Sequence, residues 1–242
     1  MVCMEAGVKD RAEEILLRTI EEYINRGEPV SSKFLFKEYD FGIKPAMIRS
    51  ELSRLERGGW LSQLHTSGGR IPTDKAYEFY AERLRGHLLK STTALAPFSE
   101  LAKKFITDNL EEFVEDFADE VHAFSVGFMV SGDSSARSGL DELFGRLDIS
   151  EAGVFKSIAR ELEALDGKIE KCLLSGELEP SGLQVYIGEK SPFIKNEHLS
   201  TVFDTYDTGG DRLLLIAIQP KRSDYKKNFK AFLGLRKAIA EK

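Results

Sequence analysis

The sequence predicts an α+β protein of two domains, in which a small helical domain with a β-hairpin precedes a larger domain built on a mainly antiparallel sheet. At 242 residues the chain is too long for one small core. Apolar residues recur at helical spacing through the first 90 residues. Segments typical of strands are concentrated after residue 180, between loops rich in Gly, Pro and Asn.

Two helices open the N-terminal domain. The first covers residues 11–26 and ends at Gly27, and the second has Ser31 as its N-cap and reaches about Tyr39. Residues 40–42, Asp-Phe-Gly, form the turn that follows. The apolar face of the first helix is made of Ile15, Leu16, Thr19, Ile20, Tyr23 and Ile24.

A third helix comes next. Ile48, Leu52 and Leu55 recur at i, i+4 and i+7, so one side of this helix packs and the other is exposed. Pro45 suits the first helical position, and Gly58 is expected to end the helix in the left-handed conformation.

The segment after the third helix predicts a β-hairpin. Residues 60–65 favour a strand, residues 66–69 a tight turn, and Arg70 is expected at the tip before Ile71 and Pro72. The order of helix, helix, turn, helix and hairpin is that of a winged helix-turn-helix domain.

The domain boundaries follow from composition. A fourth helix, capped by Thr73 or Asp74, completes a first domain of residues 1–90. Residues 91–97, STTALAP, lack apolar periodicity and are predicted to be the linker. Residues 98–242 form the second, α+β domain.

The second domain begins with helical patterns and then changes period. Residues 101–121 predict one long helix, and a strand covers residues 124–130. Residues 151–174 predict another helix, whose stripe from Phe155 to Ile169 favours a core face over a dimer seam because it is too short for a stable coiled coil. The remaining predicted elements are strands over residues 183–187, 200–206 and 212–218 and a final helix capped by Ser223 or Asp224.

Charge and cysteine usage limit the class of protein. Residues 1–90 hold 15 Lys+Arg and 14 Asp+Glu, so the other 152 residues hold 19 and 26, and the C-terminal part carries the net negative charge. Cys3 and Cys172 are far apart, which predicts neither a disulfide framework nor a cysteine metal site and suits a cytoplasmic setting. No apolar run is long enough to span a bilayer, so no membrane partner is expected.

Three blocks of sequence resemble the HrcA family of heat-inducible transcription repressors. They are GEPVSSK (residues 27–33), Ile48-Arg49, and HTSGGRIPTDKAYEFY (residues 65–80), and they resemble that family's DNA-binding domain. GLQVYIGE (residues 182–189) and residues 220–225 resemble the end of its GAF-like domain, so the second domain is interpreted as a reduced GAF-like α+β domain for dimerisation or regulation.

The chain also departs from the family pattern. Family members are longer, because a dimerising domain is inserted within the GAF-like part, and this insert is missing between Phe128 and the later helix. The family has small hydroxyl residues at the positions of Lys44 and Pro45, threonine at Met47 and asparagine at Ser50. These departures lie where the resemblance implies base contacts.

The resemblance implies a repressor of chaperone genes that binds an inverted-repeat operator in double-stranded DNA as a homodimer. It also implies dependence on a GroEL-type chaperonin. With the insert missing, a replacement dimer surface is expected on the GAF-like domain, on the helix with Phe155 or on the final helix.

The candidate DNA-binding residues combine basic charge with small size. Arginine can donate two hydrogen bonds to guanine, small residues let the helix approach the major groove, and hairpin and neighbouring side chains can reach phosphates. The candidates are Lys44, Ala46, Arg49, Ser50, Ser53, Arg54, His65, Thr66, Arg70 and Lys75.

Other classes of function have weaker support. His87, His122 and His198 have no partners at metal-ligand spacing, so no metal or cofactor is expected. The loop of residues 131–134 contains serines without a nucleophile elbow, so an enzyme is not expected. The alternative is a ligand-sensing GAF-type regulator of other genes, or a domain that binds a partner protein.

Overall fold

The computed structural model describes residues 10–63, 68–90, 109–132, 134–147, 152–176 and 182–240. The chain divides into two compact units, Met1–Arg83 and Leu84–Lys242. The predicted linker, residues 91–97, lies outside the described residues, as do Leu101 and Phe105 of the predicted long helix.

The N-terminal unit is built from helices and one pair of short antiparallel strands. In chain order the elements are α1 (Asp10–Arg26), α2 (Ser32–Glu38), α3 (Pro45–Arg57), β1 (Leu61–Ser62), β2 (Ile71–Pro72) and α4 (Asp74–Lys90). The division between the two units falls within α4. The order of elements is the one that the sequence predicted.

Local chemistry sets the ends of these helices. Gly27 follows α1 with a φ of 72°, and the N–H of Phe34 donates to Oγ of Ser31, which confirms Ser31 as the N-cap of α2. The expectation for Gly58 is wrong, because its φ is −78°. Its N–H still bonds to the carbonyl of Arg54, so the left-handed residue is the next one, Gly59, with a φ of 73°.

Arg70, immediately before β2, forms backbone hydrogen bonds with the segment that precedes α2. The N–H of Val30 donates to the carbonyl of Arg70 at 2.9 Å, and the N–H of Arg70 donates to the carbonyl of Val30 at 2.8 Å. At Gly69 a Cβ would lie 2.5 Å from the carbonyl carbon and oxygen of Pro29. Arg70 therefore pairs beside β2, and its predicted position at the hairpin tip is wrong.

The packed side of α3 faces the core of this unit. Ile48, Leu52 and Leu55 are buried as predicted, and α3 packs against α1 and α2. Burial of each such aliphatic side chain contributes about 1.5–3 kcal/mol. This packing fixes which side of α3 is exposed.

The C-terminal unit adds five strands and five further helices in the described residues. In chain order its elements are α5 (Leu110–Val121), β3 (Phe124–Met129), β4 (Ser135–Ser138), α6 (Leu140–Arg146), α7 (Ala152–Glu163), α8 (Leu165–Ser175), β5 (Gln184–Ile187), a 3₁₀ turn (Gly188–Lys190), β6 (Leu199–Asp207), β7 (Arg212–Pro220) and α9 (Tyr225–Ala240). The mixed α+β class is therefore confirmed.

The five strands form one antiparallel sheet in the order β4-β3-β7-β6-β5. Leu214, Ile216 and Ile218 alternate along β7 and share one core cluster with residues of α6, α7 and α8. On the other face, α5 packs against β3 and β4, and α9 packs against α5 and β6. The sheet is thus covered by helices on both sides.

Two helical predictions need correction. The segment predicted as one helix over residues 151–174 is two helices, which meet at Ala164. The helix predicted over residues 101–121 begins, in its described part, at Leu110, where Asn109 is the N-cap. Neither β4 nor α6 was predicted as a separate element.

The apolar stripe on α7 and α8 belongs to the core of a single chain. Ile158, Leu162, Leu165 and Ile169 are buried in the sheet cluster, whereas Phe155 is 48% exposed. Most of this stripe is therefore a core face, as the sequence favoured, and is not available to a second copy.

Candidate nucleic-acid interface

The exposed side of α3 presents basic and small side chains together. Lys44, immediately before the helix, is exposed, and so are Ala46, Arg49, Ser50 and Arg54. Ser53 is partly buried. The structure thus brings six of the predicted site residues onto one surface, which we call the α3 face.

Helical geometry orders this surface across its width. At about 100° per residue, Ser50 and Arg57 lie opposite the buried stripe, in the middle of the α3 face. Arg54 and Met47 lie toward one edge, and Arg49 lies at the other. Near the start of the helix, the middle of the α3 face therefore carries short side chains, and longer side chains lie at both edges.

Both carboxylates of α3 are neutralised by arginines. Oε2 of Glu51 accepts from Nε of Arg54 at 2.9 Å and lies 2.7 Å from its NH2. Oε2 of Glu56 accepts from Nε of Arg70 at 3.0 Å and lies 3.0 Å from its NH2. Because the acidic residues of α3 are paired within the protein, they do not cancel the charges of Lys44 and Arg49.

Lys44 and Arg49 differ from the other basic residues of the α3 face. Among the described residues, neither side chain forms a hydrogen bond or an ion pair, and both are exposed. Arg57 is exposed as well, and its Nε lies 3.4 Å from the carbonyl of Ser53. The site therefore keeps cations that are available to an anionic ligand.

The side chain of Arg70 is more buried than its predicted position at a hairpin tip implied. Its side chain is only 14% exposed and forms the two contacts with Glu56. Contact with DNA would require the guanidinium to use its remaining N–H groups or to leave Glu56.

Lys75 stabilises the end of α3. Its Nζ donates to the carbonyl of Gly58 at 2.9 Å and lies 4.1 Å from the ring centroid of Trp60. A cation at a helix C-terminus is favourable, and the aromatic face adds a cation–π contact. This structural role stands beside the predicted phosphate contact.

The position of α2 is secured by Tyr39. Its hydroxyl donates to Oε1 of Glu22 on α1 at 2.5 Å. Burial and this hydrogen bond raise the pKa of Tyr39 to about 12, so the hydroxyl remains a donor at neutral pH.

Some parts of the site could not be found from the sequence. Glu56 and Val30 both pair with Arg70 across 14 or more positions, for which no short-range pattern exists. Met47, which is 53% exposed, was also not predicted as a site residue. His65 and Thr66, two predicted site residues, lie outside the described residues.

Two other features are absent from the described ranges. No group of three or more His, Cys, Asp or Glu side chains there could hold a metal ion. Among the helices described, none is long and apolar enough to cross a membrane.

Architecture and site together define a mixed α+β protein whose separate N-terminal unit exposes a basic helix face. The family model for the HrcA protein C-terminal domain matches residues 72–228. The chain therefore belongs to the HrcA family.

Curated relatives carry the same family name. The heat-inducible transcription repressor HrcA of Caldanaerobacter subterraneus subsp. tengcongensis is 38% identical over 105 residues, which cover 40% of this chain and 31% of the relative. The protein of that name from Clostridium acetobutylicum is 48% identical over 77 residues, covering 32% and 22%. The matches thus span about a third of the relatives' length or less.

One solved structure shares the fold. A crystal structure described as that of a hypothetical protein at 2.2 Å resolution has a TM-score of 0.69 with this chain, at 16% identity and over 97% of both chains. At this level of identity the likeness concerns the fold alone.

Proposed function

We propose that this chain is a sequence-specific DNA-binding repressor of heat-shock genes. In this proposal the N-terminal unit is a winged helix-turn-helix domain, with α3 as recognition helix and the segment between β1 and β2 as wing. The C-terminal unit is a reduced GAF-like domain that dimerises or regulates. Membership of the HrcA family and the description of its relatives as heat-inducible transcription repressors support the proposal.

The observation that carries the proposal is the arrangement of charges on α3. Glu51 and Glu56 are paired to arginines, whereas Lys44 and Arg49 are exposed without partners among the described residues. A helix that approaches DNA needs cations for the phosphates, which unpaired carboxylates nearby would repel. The α3 face meets both conditions.

The same face suits the major groove in shape. Ala46 and Ser50 lie near the start of α3, where recognition helices contact base edges. Their small side chains allow close approach, and Arg49 at the edge can reach guanine O6 and N7 or a phosphate. His65, Thr66 and Arg70 are proposed to contact the DNA backbone beside the helix, and Arg54 and Ser53 to contact the same groove as α3.

Reading an inverted repeat requires two copies of α3, so the proposal includes a homodimer. A GroEL-type chaperonin is proposed as a partner that promotes the DNA-binding state. Operator binding measured with and without added chaperonin tests this partner, and equal binding in both conditions would argue against it.

The central test is selection of binding sites by the intact chain from random DNA duplexes. We expect enrichment of an inverted repeat, and binding that weakens steeply with salt because phosphate contacts release counterions. Recovery of no common sequence would reject a sequence-specific repressor.

A matched pair of variants tests the role of α3 on the selected operator. We expect Arg49→Ala to weaken specific binding by about 1–3 kcal/mol if the side chain contacts a base. Arg11→Ala removes the same charge from an exposed residue of α1 and serves as control. Equal affinities of the two variants in fluorescence anisotropy would exclude Arg49 from the interface.

A further inference from the structure

Met47 is a large apolar side chain on a surface otherwise made of polar and small residues. It is 53% exposed and occupies the third position of α3. Single exposed apolar residues are common on proteins, so exposure alone assigns no role. Its place on the α3 face, within the first turn of the helix, distinguishes it.

The neighbours of Met47 leave its side chain accessible. Ala46 is adjacent, Ser50 follows one turn later, and both are exposed. Arg54, two turns along the same edge, is held by Glu51. The Glu51–Arg54 ion pair begins one turn further along the helix, and Met47 nevertheless remains 53% exposed, so its side chain is accessible to a ligand.

The chemistry of the major groove offers one apolar group to such a side chain. Among the four bases, only thymine presents a methyl group on the major-groove edge, and apolar side chains contact it. Methionine is unbranched and polarizable, so it adapts to such a contact. Pro45 and Ala46 are also exposed and apolar in the first turn of α3, but the side chain of Met47 extends further from the helix than either.

We propose that Met47 contacts the C5-methyl group of a thymine in each operator half-site and so determines specificity at that position. The inference rests on the proposed DNA-binding function and adds a contact that reads one base by its methyl group. Its strength should be that of one buried methyl group, about fourfold in Kd for each half-site.

The test uses the intact chain and its selected operator. Each thymine is replaced, one at a time and symmetrically, by deoxyuridine, which lacks only the methyl group. We expect one position at which the replacement weakens binding of the unmodified chain by about fourfold per half-site. With Met47→Ala the same replacement should have no effect.

Two further variants separate this contact from general effects. Met47→Gln keeps the length of the side chain but ends in an amide, so it should also lose the distinction between thymine and deoxyuridine. Leu174→Ala removes an 89% exposed apolar side chain from the C-terminal unit and should keep the distinction. Because Met47 is exposed on a helix, Met47→Ala and Met47→Gln should both leave the thermal unfolding temperature unchanged.

The outcomes distinguish this inference from the proposed function. If deoxyuridine replacement has the same effect on the unmodified chain and on Met47→Ala at every position, the contact is rejected and sequence-specific binding stands. If selection enriches no sequence at all, the proposed function fails, and the contact fails with it.

Discussion

At the scale of single residues, Arg70 has two structural roles, one through its backbone and one through its side chain. Its backbone pairs with Val30 and its guanidinium pairs with Glu56, so it holds the segment before β2 against α3 and the start of α2. Removing one partner of a partly buried ion pair lowers the stability of the fold more than removing one partner of an exposed ion pair. Arg70 is therefore expected to stabilise the N-terminal unit whether or not it also touches DNA.

We predict that Arg70→Ala lowers the free energy of unfolding by about 1–2 kcal/mol, because Glu56 loses its partner in a partly buried site. Thermal or denaturant unfolding measures the loss. A double-mutant cycle with Glu56→Ala should give a coupling energy of about 0.5 kcal/mol or more. Additive effects of the two substitutions would show that the pair contributes nothing.

Gly69 is a second residue whose role is steric. We predict that Gly69→Ala destabilises the protein by about 1–3 kcal/mol, because the new Cβ would overlap the backbone of Pro29. Gly86→Ala is the control, since nothing lies within 4 Å of its Cβ position in α4. That substitution should be neutral or stabilising by up to about 1 kcal/mol, as expected for a helical glycine. Similar unfolding temperatures for both variants would refute the steric argument.

At the scale of elements, the break between α7 and α8 is held by one carboxylate. Oε2 of Glu161 accepts from Nζ of Lys168 at 2.5 Å and from the backbone N–H of Lys195 at 2.7 Å. It thereby joins α7, α8 and the segment that precedes β6. Burial alone would raise the pKa of Glu161, but the hydrogen bonds and charges of the two lysines outweigh it and lower the pKa.

This lowered pKa predicts the pH dependence of Glu161→Gln. Because the folded pKa lies below the ordinary value of 4.5, the carboxylate stabilises the fold fully above that value. The stabilisation is lost as the pH falls through the folded pKa. We therefore expect Glu161→Gln to be destabilising at neutral pH and progressively less so below pH 4.5.

Denaturant unfolding at several pH values checks this prediction. Glu163→Gln provides the control, because Glu163 lies on the same helix and is exposed. A difference between Glu161→Gln and the unmodified chain that is constant with pH would contradict it.

The elements show what sequence patterns can and cannot predict. Buried stripes such as Ile48, Leu52 and Leu55, and caps such as Ser31, depend on residues a few positions apart and were predicted correctly. The break at Ala164 was not predicted, because the apolar spacing continues across it. Likewise, the burial of Arg70 depends on Glu56, which is 14 positions away.

At the scale of the whole molecule, the proposed function requires two copies of the chain. Much of the apolar surface that the sequence offered for dimerisation is used inside one chain, since Ile158, Leu165 and Phe232 are fully buried. A dimer must therefore use the exposed sides of the helices that carry these residues or other exposed surfaces of the protein.

We predict that the intact chain is a dimer at micromolar concentration, because an inverted repeat needs two α3 helices at a fixed separation. Multi-angle light scattering measures the mass directly, and chemical crosslinking followed by gel analysis provides an independent check. A monomer that also fails to dimerise on operator DNA would contradict the proposed reading of an inverted repeat.

The pairing of Val30 with Arg70 has a consequence for folding. The two hydrogen bonds form only when the chain closes a loop that contains α2 and α3, so this pairing cannot be made by local contacts. A peptide of residues 44–72 lacks Val30 and the helices that bury Ile48 and Leu52, and it should remain largely unfolded. The segment proposed to contact DNA is therefore not expected to fold outside its unit. A graft of it onto another protein would have to include α1 and α2 as well.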